Sequence, residues 1–180
     1  MNITVYLGAN TGNRQIFVTA VRELGEWIGK SGNSLVYGGS RTGLMGELAD
    51  SVLNAGGKVT GVEPQFFIDA NFQHNGLTQL IVTKDMAERR AKMIELGDAF
   101  IAFLGGTGTL EEISEVVSKS ALKQIAAPCI IYNLDGYYDS LKSQFLKMTE
   151  TEFTSADKLE NVYFPENLPE IRRILDEHVK

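Results

Sequence analysis

Two adjacent carboxylates, Glu111 and Glu112, follow a glycine-rich turn in the stretch Leu104-Gly-Gly-Thr-Gly-Thr-Leu-Glu-Glu112. An apolar run, residues 99–104, leads into this turn, and an amphipathic run from about 110 to 125 leads out. A strand that breaks into glycines and then opens a helix makes an anion site. The backbone comes close to a ligand there, and the first helical N–H groups point outward at the positive end of the helix dipole. The candidate cradle is Gly105, Gly106, Thr107, Gly108 and Thr109. A phosphate cradle beside a carboxylate points to chemistry on a phosphorylated small molecule. A second reading competes for Glu112. Thr109-Leu-Glu-Glu112 also fits the S/T-x-x-E capping box, in which the two side chains satisfy each other's orphan N–H groups. The roles conflict, because a carboxylate tied to a cap is less free to act as a base.

Two arginines fall in a second chemically informative stretch, Asp85-Met-Ala-Glu-Arg-Arg-Ala-Lys-Met93. The pattern predicts a helix capped by Asp85. At ~100° per residue, Met86, Ala87, Ala91, Met93, Ile94 and Leu96 share one broad face. Arg90 is expected near the middle of that face and Arg89 at its edge, beside Met86 and Met93. A cation facing a core needs a partner. Either a carboxylate such as Glu112 supplies it, as a structural salt bridge, or a ligand phosphate or sugar does, for which guanidinium geometry is well matched.

Elements alternating between strand and helix must position these groups. Apolar runs predict strands at 3–7, 34–37, 58–62 (ending near Pro64), 80–83, 99–104, 129–134 and 161–164. Helical spacing predicts helices at 15–30, 43–55, 86–96, from 110, at 138–148 and from 168 to about 178, with 65–77 irregular. Continuous apolar strands alternating with helices imply a Rossmann-like α/β fold: a doubly wound, mainly parallel sheet with helices on both faces, here as a single domain over 1–180. Ligands in such sheets sit beyond the carboxyl ends of the strands. Three glycine-rich turns converge on that rim: Gly8-Ala-Asn-Thr-Gly12, Gly38-Gly-Ser-Arg-Thr-Gly43 and Gly105-Gly-Thr-Gly108.

Composition narrows the function. A net charge of −6 argues against a partner that is a nucleic acid polymer or an anionic membrane. One cysteine, Cys129, and two histidines, His74 and His178, cannot assemble a His/Cys metal cluster, so no metal site is expected. No signal peptide or transmembrane run is seen, and a cytoplasmic location is expected. None of the loops fits G-x-G-x-x-G, since Ser40 and Glu111 interrupt it, and Leu44-Met45 after Gly43 breaks a P-loop.

Taken together, these segments resemble the Lonely Guy (LOG) family of nucleoside 5′-monophosphate phosphoribohydrolases, which are often mislabelled lysine decarboxylases. The resemblance rests on Leu104-Gly-Gly-Thr-Gly-Thr-Leu-Glu-Glu112, Met86-Ala-Glu-Arg-Arg90 and Tyr37-Gly-Gly-Ser-Arg-Thr-Gly-Leu-Met-Gly46, and it spans roughly residues 1–150. It implies cleavage of an N-glycosidic bond to free base and ribose 5-phosphate, with no cofactor. It implies Arg89 and Glu112 as the catalytic pair. It also implies nucleotide contacts from Gly8, Gly39, Met86, Arg90, the 105–109 loop and Ser118. Departures stand at Leu104, where the family has Pro, at Arg90 for Lys and Ser40 for Gly, at Leu7-Gly-Ala-Asn10, and at Ser118-Lys-Ser-Ala121. These bear on base recognition more than on phosphate. A non-catalytic carrier or nucleotide-binding protein of the same fold, such as a molybdenum-cofactor carrier, is the alternative. Family members are at least dimers. The apolar stripe Leu110, Ile113, Val117 and Ala121, widened by Val116 and Leu122, is a candidate homodimer surface.

Overall fold

A computed structural model describes residues 1–178. Its strands are β1 (Asn2–Tyr6), β2 (Ser34–Tyr37), β3 (Lys58–Pro64), β4 (Gln79–Thr83), β5 (Ala99–Ala102), β6 (Cys129–Ile131) and β7 (Val162–Tyr163). The helices between and after them are α1 (Gln15–Lys30), α2 (Gly43–Asn54), α3 (Gln65–Asp69), α4 (Met86–Leu96), α5 (Thr107–Ala121), α6 (Asp139–Glu150) and α7 (Leu168–His178). All seven strands form one parallel sheet in the order β4-β3-β2-β1-β5-β6-β7. The doubly wound Rossmann-like fold is therefore as expected. The order reverses between β1 and β5, and the crevice outside their carboxyl ends is where such sheets hold ligands.

The central strands are apolar on both faces because helices cover both. Side chains alternate, so Ile3, Val5, Leu35, Ile101 and Ile130 pack with α1, α2 and α7, whereas Tyr6, Val36, Phe100, Ala102 and Ile131 pack with α4, α5 and α6. Helix α1 shows what holds a helix on the sheet. Its N-cap, Arg14, makes no side-chain cap bond, yet Val21, Leu24 and Ile28 are fully buried. Each such burial contributes about 1.5–3 kcal/mol, against about 1 kcal/mol for a good cap, so packing decides.

Two local readings are corrected. Helix α5 starts at Thr107, with Gly106 as N-cap and no side-chain cap bond. Thr109 is then the third helical residue and no capping box forms. Glu111 and Glu112 lie past the first turn. Strand β3 ends at Pro64, as expected, and there the proline closes a row paired with β4. The segment read as irregular contains α3, a short helix after that proline.

Candidate functional site

A cavity of about 530 Å³ opens at the switch point. It is framed by the turns after β1 and β5 and by the start of α5, with Met45 of α2, Phe67 of α3, and Met86 and Arg89 of α4 on the other side. Two contacts brace the 105–109 loop. The Gly8 N–H donates to the Leu104 carbonyl at 2.9 Å, and the Tyr137 hydroxyl donates to the Gly105 carbonyl at 2.7 Å. A Cβ at Gly105 would run into the Thr109 side chain and lie 2.9 Å from the Gly8 nitrogen, so the two loops can approach only as glycines. Gly106, Thr107 and Gly108 remain exposed at the mouth. The first N–H groups of α5 have no partner within the helix, as at any helix start, and open onto the cavity with the helix dipole behind them.

Arg89 and Glu112 meet in the cavity wall. Arg89 Nη1 donates to Glu112 Oε1 at 2.7 Å, and both residues are only 7% exposed. The Arg89 Nε–H donates to the Val62 carbonyl at 2.9 Å, which fixes the guanidinium against β3. Its remaining amino group lies against Gly38, where any Cβ would collide with it. This explains a glycine after β2 by close approach rather than by a turn. Asp85 caps α4 as expected, accepting from the Glu88 N–H at 2.8 Å. Two opposing influences act on Glu112. Burial pushes its carboxyl above the usual carboxylate range, and Arg89 pulls it down by charge and hydrogen bonding. The result is a carboxylate held in a dry wall with its basicity raised, the condition a general base needs.

The order of the two arginines is the reverse of the helical-wheel expectation. Arg89 is the buried one. Arg90 lies at the helix edge, bridged to Glu111 at 3.1 Å and to Glu115 at 3.0 Å, and does not line the cavity. The wheel erred because Ala87 and Ala91, counted on the apolar face, are exposed, so the inward face of α4 runs through Met86, Arg89 and Met93 instead. Ser118 is exposed on α5, two turns beyond Glu112, and also lies outside the cavity. Gly39, with φ of 92°, packs on Glu63 rather than facing the main cavity. Gly8, Met86 and residues 105–109 do line it.

Sequence reasoning missed Tyr137 and Glu63. Tyr137 lies in a segment with no motif, and only its contact with Gly105 reveals it. Glu63 is buried at the end of β3, and burial moves its carboxyl up to about 7. A Glu directly before the strand-ending proline was the available signal. Among the described residues no cluster of three or more His, Cys, Asp or Glu side chains could hold a metal, and no helix is long and apolar enough to cross a membrane.

Fold and site together define a Rossmann-like α/β protein with an exposed glycine-rich helix start and a buried Arg–Glu pair in one crevice. A family described as "Possible lysine decarboxylase" matches residues 45–175. The chain is 36% identical over 99% of its length to a "Probable cytokinin riboside 5'-monophosphate phosphoribohydrolase" of Oryza sativa subsp. japonica, covering 80% of that protein. It is 45% identical over 79% of its length to the "Cytokinin riboside 5'-monophosphate phosphoribohydrolase" of Rhodococcoides fascians, covering 72% of that protein. The chain therefore belongs to this family, the Lonely Guy group of phosphoribohydrolases. Among solved structures, the molybdenum cofactor binding protein of Rippkaea orientalis superposes with a TM-score of 0.76 over 99% of this chain and 97% of its own. Identity there is 20%, so that likeness establishes the fold alone.

Proposed function

We propose that the cavity binds a nucleoside 5′-monophosphate and that the protein hydrolyses its N-glycosidic bond, giving free base and ribose 5-phosphate. One observation carries the reading: the buried Arg89–Glu112 pair stands in the same cavity as the exposed helix start of α5. Phosphate docks on the N–H groups of residues 106–109. The sugar then lies over the Arg89–Glu112 wall. The C1′–N bond breaks with its electron pair leaving on the base, which takes up a proton from solvent. Glu112 faces the oxocarbenium-like sugar as a carboxylate and then takes a proton from the water that attacks C1′. Arg89 positions Glu112 and supplies the positive charge that lets it ionise between turnovers. Water is the co-substrate, and the chemistry calls for no cofactor. A carrier would have no need of a buried ion pair, whose desolvation costs several kcal/mol per ion, so hydrolysis is the better reading.

Incubating the protein with a panel of nucleoside monophosphates and following free base tests this. Phosphate is the main handle, so AMP is expected to be cleaved and adenosine is not. Efficient hydrolysis of adenosine would sink the role given to the 105–109 loop, and no base release from any monophosphate would sink the reading.

We further propose a cytoplasmic homodimer. The stripe on α5 is narrower than the sequence implied, because Ile113, Val116 and Val117 are buried in the chain's own core. Leu110 and Leu122 remain 43% and 69% exposed at the two ends of the helix. A two-fold axis near α5 would cover both and close the cavity mouth. Light scattering is expected to give twice the chain mass, and a fully active species of monomer mass would refute it.

A further inference from the structure

Glu63 is a carboxyl that this reaction leaves unused. It is 1% exposed, and its Oε2 has no hydrogen-bond partner. Arg89 is close enough to influence it, yet gives its hydrogen bonds to Glu112 and the Val62 carbonyl instead. Gly39 closes over the carboxyl, with its backbone so near that a Cβ would lie 3.2 Å from Oε2. The carboxyl lines a second cavity, of about 180 Å³, with Gly38, Met45, Phe67, Phe72 and Arg89. Met45, Phe67 and Arg89 also line the main cavity, so the two spaces share a wall. At 180 Å³ the space falls below the ~300–1,000 Å³ of a complete ligand pocket and can take only part of a ligand.

The walls are mainly apolar, the lining residues Ser40 and Thr42 bond each other at 3.0 Å, and Glu63 Oε2 is left without a partner. Mainly apolar walls around one unsatisfied polar group are the composition of a binding pocket, since buried polar atoms in a finished core have partners. We propose that Glu63 is a specificity-determining residue, a buried carboxyl that reads the edge of an aminated heterocyclic base such as adenine in the small apolar cavity beside the Arg89–Glu112 pair. The proposal rests on the nucleotide reading of the main cavity. A protonated carboxyl offers a donor and an acceptor side by side. A ring nitrogen next to an exocyclic amine offers the complementary acceptor and donor. The aromatic rings of Phe67 and Phe72 give the flat base apolar surface. Burial holds the carboxyl up to about 7, so its neutral form is available near neutral pH. Of the elements around it, α4 presents the charge of Arg89, and β2 presents Tyr37, whose phenol donates to the Ser40 carbonyl and is kept neutral by burial. The α2 and α3 sides present Met45 and Phe67.

Calorimetry with AMP and with ribose 5-phosphate tests the assignment, in a Glu112→Gln background so that AMP stays intact. Adding Glu63→Leu is expected to weaken AMP roughly 10- to 100-fold and to leave ribose 5-phosphate unchanged. Purine riboside 5′-monophosphate, which lacks the amine, should lose less than AMP. Adding Glu63→Gln instead, which keeps one donor and one acceptor, should retain AMP affinity. It should also abolish the weakening that Glu63 imposes as pH rises past about 7. Equal AMP affinity with Leu at position 63 overturns the proposal. An equal loss for ribose 5-phosphate also overturns it, because the role is then structural. Failure of both ligands to bind any form is a different result, which removes the nucleotide reading and this assignment with it.

Discussion

Replacing Glu112 by Gln is expected to leave a folded protein whose turnover of AMP has fallen by ~10²–10⁴-fold or more. The side chain keeps its shape, and its amide oxygen can still accept from Arg89 Nη1, which now donates at 2.7 Å to the carboxylate. What disappears is the ability to take a proton from water and the negative charge facing a cationic sugar. The first loss falls in the range of general base catalysis, and the second adds electrostatic stabilisation of the transition state. Affinity for ribose 5-phosphate should hold if, as proposed, the helix start of α5 carries the phosphate. A thermal melt beside a base-release assay checks both halves. A variant that turns over at the wild-type rate would make the pair a structural bridge. A variant that melts early while each folded molecule keeps full activity would do the same. The capping-box explanation of Glu112 no longer competes, because α5 begins at Thr107 with Gly106 as its cap.

The fold was legible because each central strand is an uninterrupted apolar run between turn residues, and those runs cannot be half-exposed. β5, Ala99–Ala102, is buried at every position, and the sequence alone implied as much. The glycine-rich start of α5 was legible for a similar reason, since a run of glycines between an apolar strand and an amphipathic helix marks where the chain turns and the helix begins. What the sequence obscured depends on how elements lean on one another. The one-residue choice between Arg89 and Arg90 turned on two alanines, Ala87 and Ala91, which are apolar enough to read as core but small enough to face solvent at little cost, and both are exposed. Glu63 was hidden because a carboxyl in Gly61-Val62-Glu63-Pro64 reads as a loop residue, while the parallel pairing of Glu63 with Val82 keeps it in the sheet. The breadth of the α5 stripe was overread. Whether an apolar helical face meets its own sheet or a partner depends on its rotation, and Ile113, Val116 and Val117 turn inward.

Arg89→Ala is expected to abolish turnover and also to destabilise the protein, by about 3–5 kcal/mol at neutral pH, the usual cost of removing one partner of a buried ion pair. The physical source is Glu112. Burial already pushes its carboxyl up, and Arg89 is the strongest influence holding it down. Without Arg89, the folded state prefers Glu112 protonated, whereas the unfolded chain releases the proton in the ordinary carboxylate range. A carboxyl whose folded pKa is raised contributes stability below its unfolded pKa and loses it as pH climbs through the folded value. The gap between wild type and variant should therefore be narrow near roughly pH 4 and widen toward roughly pH 8. Denaturant titrations across that range would show it, and a gap that is constant with pH would mean that the loss comes from packing or from the freed Val62 carbonyl instead. Adding Glu112→Gln separates stability from chemistry. The double variant no longer has the Glu112 charge to neutralise, while Glu63, which Arg89 also held down, remains as a buried carboxyl. It should therefore recover part of the stability at high pH and none of the turnover. Energies that simply add would mean the two side chains do not act as a pair. Recovered hydrolysis would mean that neither residue belongs to the reaction.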